Sequence, residues 1–260
     1  MNIILLSLLA GVIGMGLGAV LTAIFGTKTD KMTSIFLSFA GGVMLSIVFL
    51  ELIPEAVELS NIPISIIGLV VGVVMVFVLN NIIDRISNKN GDKEIHESFA
   101  EFFHSNDVIA RKKSMFRSGI IMLVAIGLHN IPEGLAMGAA GQYDAALGFT
   151  IAILIALHNI PEGMAVAVPL NVGGVSKMKS IIITALVGAT TIIGAVIGVL
   201  VGGISEIAVG ISFAIASGAM LYVVLAEILP QSIMMSKNRM PTVFAVVGII
   251  VGMLFIAIVA

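Results

Sequence analysis

Long apolar runs broken at short polar intervals dominate the pattern along this chain. A helix that crosses a bilayer needs about 20 mostly apolar residues. Eight segments meet that measure: Asn2–Phe25, Met32–Leu52, Ile62–Ile83, Ser118–Gly138, Ala145–Leu170, Ser180–Val201, Ile207–Leu229 and Thr242–Val259. The pattern predicts an all-α integral membrane protein with residues 1–260 as one transmembrane domain. The one sizeable interval, 84–117, reads as a charged cytoplasmic loop. The first run has no basic n-region and is too long for a signal peptide, so it reads as a mature first helix.

Composition supports this pattern. Hydrophobic residues make up 59 % of the chain and charged residues 11 %, against about 25 % charged in an ordinary soluble domain. A mean hydropathy of +1.18 leaves too little polar surface for a water-soluble globule. The net charge of −2, without a basic patch, argues against nucleic acid as a partner. The absence of cysteine excludes disulfides, thiolate zinc sites, iron–sulfur clusters and cysteine nucleophiles. His, Asp, Glu and Asn remain as metal ligands. No clear phosphate-binding glycine motif suggests direct drive by ATP.

The charges also set an orientation. Lys28 and Lys31 follow the first segment; Arg85, Lys89, Lys93, Arg111, Lys112, Lys113 and Arg117 follow the third; Lys177 and Lys179 follow the fifth; Lys237 and Arg239 follow the seventh. These are all 13 basic residues, and every one lies in an odd-numbered interval. The even intervals carry only the acids Glu55, Glu58, Asp144 and Glu206. By the positive-inside rule the odd intervals are cytoplasmic and both termini are extracytoplasmic. A missed or invented helix would break the alternation.

A second pattern is internal repetition. At a constant shift of 176 residues, Gly42, Met44, Leu45, Glu51 and Pro54 recur as Gly218, Met220, Leu221, Glu227 and Pro230. The same shift places Gly18-Ala19-Val20 on Gly194-Ala195-Val196, and Gly72 on Gly248. Segments 1–3 therefore repeat as 6–8 in opposite orientation, around central segments 4 and 5. Inverted repeats mark secondary transporters, with the site near the midplane.

The central segments carry the chemistry. His129-Asn130-Ile131-Pro132-Glu133-Gly134 lies in the fourth and His158-Asn159-Ile160-Pro161-Glu162-Gly163 in the fifth. His and Glu at i, i+4 stand about 40° apart on one helix face, with the Asn at its border. Pro132 and Pro161 are expected to kink their helices and free the carbonyls of Leu128 and Leu157. A charge at mid-bilayer costs roughly 2.5–3.5 kcal/mol on insertion scales. One divalent cation neutralises both carboxylates. Single polar residues in such helices often do no more than hydrogen-bond helix to helix. Duplication of the whole hexapeptide at matching depth has no such structural need.

The tandem HNIPEG segments, with FLELIPEA ending the second segment and LAEILP the seventh, resemble the ZIP family of zinc and iron permeases over essentially the whole chain. The resemblance implies a multi-pass cell-membrane transporter in a 3+2+3 arrangement. Its transport ligands would be His129, Asn130, Glu133, His158, Asn159 and Glu162, its direction cytoplasmic, and its cargo zinc or another divalent metal (iron, manganese, cobalt, nickel, cadmium). There is one departure. Many prokaryotic members have Glu-Pro in the sixth segment, where this chain has Thr191-Ile192. With that carboxylate missing, one tightly held ion is expected, with any second position weak.

Glu51 and Glu227, near helix ends and equivalent in the repeat, read as way-stations at the outer and inner mouths, with Glu55 assisting capture. A carboxylate reaching interfacial water explains them equally well. His96, Glu97, Glu101 and His104 have chelating spacing only if their loop is helical, and a solvated face is the simpler account. Met137 and Met164 follow the motifs, but a thioether pathway for Cu(I) is not favoured. The expected cycle rocks the repeat units against the central pair. No cofactor is expected beyond the transported ion; the partners are that ion and the lipid bilayer, with a homodimer left open. Two other function classes remain: an intramembrane metal-dependent hydrolase, which would show hydrolysis by pure protein, and a proton-coupled solute carrier, which would show metal-independent flux. The first lacks HExxH and a spare catalytic base.

Overall fold

The computed structural model describes residues 2–26, 29–87, 108–143, 145–200, 206–236 and 238–259. Among the described residues there are eight helices long and apolar enough to cross a membrane. They are α1 (Ile3–Phe25), α2 (Asp30–Leu59), α3 (Ile62–Ser87), α4 (Val108–Tyr143), α5 (Ala145–Val172), α6 (Lys177–Leu200), α7 (Glu206–Met234) and α8 (Met240–Val259). Several begin at side-chain caps that satisfy amides left over in the first turn. Asn2 accepts from the Ile4 amide, Thr29 from Met32, Asn61 from Ile64 and Asn238 from Met240.

Two predicted boundaries are corrected. The expected ends at Leu52 and Leu229 become Leu59 and Met234, because the helices continue through Pro54 and Pro230. A proline ring clashes with the carbonyl four residues earlier and cannot donate to it. Both helices absorb it by opening into a π turn just before, at Val48–Leu52 and Val224–Ile228. The Ile53 amide donates to Val48 O and the Leu229 amide to Val224 O. The two π turns lie 176 residues apart and each carries one of the paired acids, Glu51 or Glu227. The interval 84–117 is also shorter than expected, since α3 runs on to Ser87 and α4 starts at Val108. His96, Glu97, Glu101 and His104 lie outside the described residues.

Packing follows the same shift. A Cβ on Gly18 of α1 would stand 2.1 Å from Ile160 O of α5, and one on Gly194 of α6 would stand 1.8 Å from Ile131 O of α4. A Cβ on Gly72 of α3 would meet Ile215 O of α7 at 2.0 Å, and one on Gly248 of α8 would meet Phe39 O of α2 at 2.2 Å. No side chain fits at these distances, so the backbones touch. Small residues permit this, and in lipid dispersion between close backbones is a main source of helix association. The most extensive pairings are α1 with α5, α6 with α4, α3 with α7 and α8 with α2. With the contacts of α4 with α5 and of α2 with α7, these define two bodies: α1, α4, α5 and α6 in one, α2, α3, α7 and α8 in the other. Between them run the smaller seams of α2 with α5 and α7 with α4.

The seams are largely apolar. Met44, Ile47, Val48, Met122, Ala125, Ile126, Val166, Met220, Val223 and Val224 belong to one buried cluster. The outer faces of α3 and α8 expose Ile66, Val70, Val74, Val246, Ile250 and Leu254, as lipid-facing helices do.

Candidate metal centre

The two HNIPEG segments lie in the middle of α4 and α5, and both helices continue across their prolines. His129 Nε2 stands 3.0 Å from Glu133 Oε1, one turn along α4, and 3.3 Å from Glu162 Oε1, which reaches across from α5. All three side chains are buried, and one ligand atom from each lies within 4.8 Å of the others. Ligand atoms about 2.0–2.2 Å from a tetrahedral zinc ion sit about 3.3 Å from one another. The three atoms are close enough for one ion to be shared. Its two carboxylates supply the charge that a divalent cation would cancel.

The asparagines flank this cluster. Asn130 donates from Nδ2 to Val187 O of α6 at 3.4 Å, while its Oδ1 has no hydrogen-bond partner among the described residues. Asn159, one turn before Glu162 and fully buried, has none for Oδ1 or Nδ2. A buried amide left unsatisfied costs about 1–3 kcal/mol, and these oxygens are acceptors with no partner among the described residues. His158 belongs to α5 in the register that His129 has in α4; its side chain lies outside the described residues.

Thr191 sits where a third carboxylate was looked for. It is fully buried, and its single hydroxyl proton is shared between Ser7 O of α1 at 2.9 Å and Gly188 O at 2.8 Å. The regular helix of α6 is interrupted at Ala189–Thr190; there the Thr191 hydroxyl meets Gly188 O, and Val187 O accepts from the Thr190 amide and hydroxyl as well as from Asn130. Thr191 is spent on the backbone.

The outlying acids divide. Glu51 is half-buried on its π turn and Glu55 is exposed. Glu227 does not reach interfacial water: it is 4 % exposed and enclosed by polar side chains. Asn80 Nδ2 donates to its Oε1 at 2.9 Å; Ser118 Oγ at 3.0 Å and Gln231 Nε2 at 3.1 Å donate to its Oε2. Sequence reasoning passed over these three residues. The signals were faint: an amide inside an apolar run at Asn80, and Gln231 spaced i+4 from Glu227.

The chain matches the family model described as ZIP zinc transporter over residues 89–260. It is similar to the zinc transporter ZupT of Akkermansia muciniphila, at 33 % identity over 99 % of this chain and 96 % of that protein. It is also similar to ZupT of Chlorobaculum parvum, at 31 % identity over 97 % and 94 %. ZupT of Streptococcus mutans is 30 % identical over 98 % and 94 %. A duplicated His-Asn-x-Pro-Glu-Gly site in a bundle of eight apolar helices and likeness along the whole chain lead to one assignment: this protein belongs to the ZIP zinc transporter family.

Proposed function

We propose that this protein carries Zn²⁺ across the membrane through a centre formed by His129, Asn130, Glu133, His158, Asn159 and Glu162. The observation that supports the reading is the buried cluster of His129, Glu133 and Glu162, whose ligand atoms lie within 4.8 Å of one another across two helices. Imidazole with carboxylate suits intermediate divalent metals generally. Iron, manganese, cobalt, nickel and cadmium therefore belong in the range of cargo to be tested. The protein is a transporter and not an enzyme.

The direction proposed is toward the basic end of the bundle, the cytoplasmic end by the positive-inside rule. Ions would enter past Glu55 and Glu51 and leave past Glu227. One ion is held at a time, since Thr191 contributes no carboxylate. The 3+2+3 arrangement of inverted repeats is part of this proposal, supported by the reciprocal glycine contacts of α1 with α5 and α6 with α4. The rocking of repeat units against the central pair is replaced. It would pull α1 from α5 and α6 from α4, the closest packing in the molecule. Movement of the body that holds the metal centre against the other, along its apolar seams, breaks far less. The apolar outer faces of α3 and α8 suit lipid, and equally a second copy in a homodimer.

Zinc uptake into proteoliposomes, read by an internal fluorescent chelator, tests the site. Glu133→Ala and His158→Ala are each expected to abolish uptake; normal uptake by both variants refutes the assignment.

A further inference from the structure

We infer that Asn80, Ser118 and Gln231 form a polar latch on Glu227 that joins the two helix bodies and holds the basic end of the bundle closed. The inference rests on the proposed transport function and assigns new roles to three residues outside the metal centre. Asn80 comes from α3, Glu227 and Gln231 from α7, and Ser118 from α4. Ser118 is thus a hydrogen-bonding member contributed by the body that carries the metal centre. Besides donating to Glu227, it accepts from Gln231 Nε2. Asn80 Nδ2 also donates to the Tyr222 hydroxyl at 3.3 Å, which fixes it against α7. Arg117, next to Ser118, adds a favourable charge interaction with Glu227 across the same seam.

Position gives the latch its purpose. Ser118 precedes His129 by 11 residues, which on a straight helix is about 16 Å along the axis and only about 20° around it. Ser118 therefore stands on the face of α4 that leads to the metal centre. Met122 and Ala125, buried on the same face, fill the interval. An ion leaving the centre toward the basic end must pass this face, and cannot while Ser118 is tied to α7. A Glu227 carboxylate already accepting three hydrogen bonds is also poorly available to a cation. Opening the seam releases the carboxylate from Ser118 as the way to it clears.

The sequence does not repeat these donors at the opposite end. Shifting Asn80, Gln231 and Ser118 to the equivalent positions around Glu51 gives Ile256 (by 176 residues), Glu55 (by 176) and Leu147 (by 29, the spacing of the two HNIPEG segments). Neither Ile256 nor Leu147 carries a donor, and Glu55 is a second acid.

Cysteine labelling tests it, since the chain has no native thiol. In nanodiscs, with both membrane faces accessible, Met122→Cys should react slowly with a polar maleimide. Adding Ser118→Ala removes a hydrogen bond to a carboxylate and should speed labelling about tenfold or more. Adding Ser118→Thr, which keeps the hydroxyl, should leave it slow. Gln231→Leu serves as a second route to the open state should Ser118→Ala fold poorly. Unchanged labelling in both Ser118→Ala and Gln231→Leu overturns the latch. Glu133→Ala in the same background should abolish zinc binding by calorimetry yet leave labelling slow, so the metal centre and the latch fail separately.

Discussion

Glu162, carried by α5, places its Oε1 3.3 Å from Nε2 of His129 on α4. This contact turns two helical motifs into one centre, because neither helix alone supplies two carboxylates to one imidazole. Both side chains are buried, and a divalent ion between them would be held by ligands that no water competes for.

Glu162→Gln keeps the size of the side chain and removes its charge. Loss of outer partners of a metal ligand already costs 10–100-fold in affinity, so loss of this carboxylate should weaken zinc binding by about 100-fold or more in calorimetry. Zinc at about 100 times its Kd should stabilise the native protein by about 2.7 kcal/mol. That thermal shift should vanish in Glu162→Gln and return to the metal-free value when a chelator is added to the native protein.

Asn159→Leu separates function from stability. The amide is buried without a hydrogen-bond partner among the described residues, so an apolar replacement should leave metal-free stability unchanged or higher. If the amide oxygen serves the ion, zinc affinity should fall about tenfold in the same variant, a drop of about 1.4 kcal/mol. Lower stability with unchanged affinity would make Asn159 a packing residue.

Thr191→Val should lower stability by about 1 kcal/mol, the worth of its hydrogen bonds to backbone carbonyls, and leave zinc affinity within about twofold. Metal analysis of the purified protein should find one tightly bound ion per chain. Two equally tight ions would show that the missing carboxylate has been replaced from elsewhere.

Gly18→Ala should force α1 away from α5, since the added carbon would lie 2.1 Å from Ile160 O. Overpacking of this kind costs about 1–3 kcal/mol, visible as a lower melting temperature in detergent. Gly16→Ala is the control: its added carbon meets only Ala185 Cβ at 3.5 Å, and a change within about 0.5 kcal/mol is expected.

Much of this was legible in the chain. The segments of about 20 apolar residues specify helices because bilayer thickness and backbone hydrogen bonding admit little else. The i, i+4 spacing of His129 and Glu133 and its copy at His158 and Glu162 are likewise local geometry. The π turns were not legible: Pro54 and Pro230 read as helix ends, and only neighbouring helices made it cheaper to bulge than to stop. Glu227 was misplaced for the same reason: it reads as lying near a helix end, but α7 runs on to Met234 and side chains of α3 and α4 close over it.

The sequence by itself determined the solvent, the number of spans and the paired motifs that supply the candidate metal ligands, because each depends on residues close together in the chain. Tertiary structure decided which helices travel together, that Glu162 meets His129, that Thr191 is spent on backbone carbonyls and that Glu227 is enclosed by Asn80, Ser118 and Gln231. Those relations join residues as far as 184 positions apart, and only helix packing brings such residues within reach of a hydrogen bond.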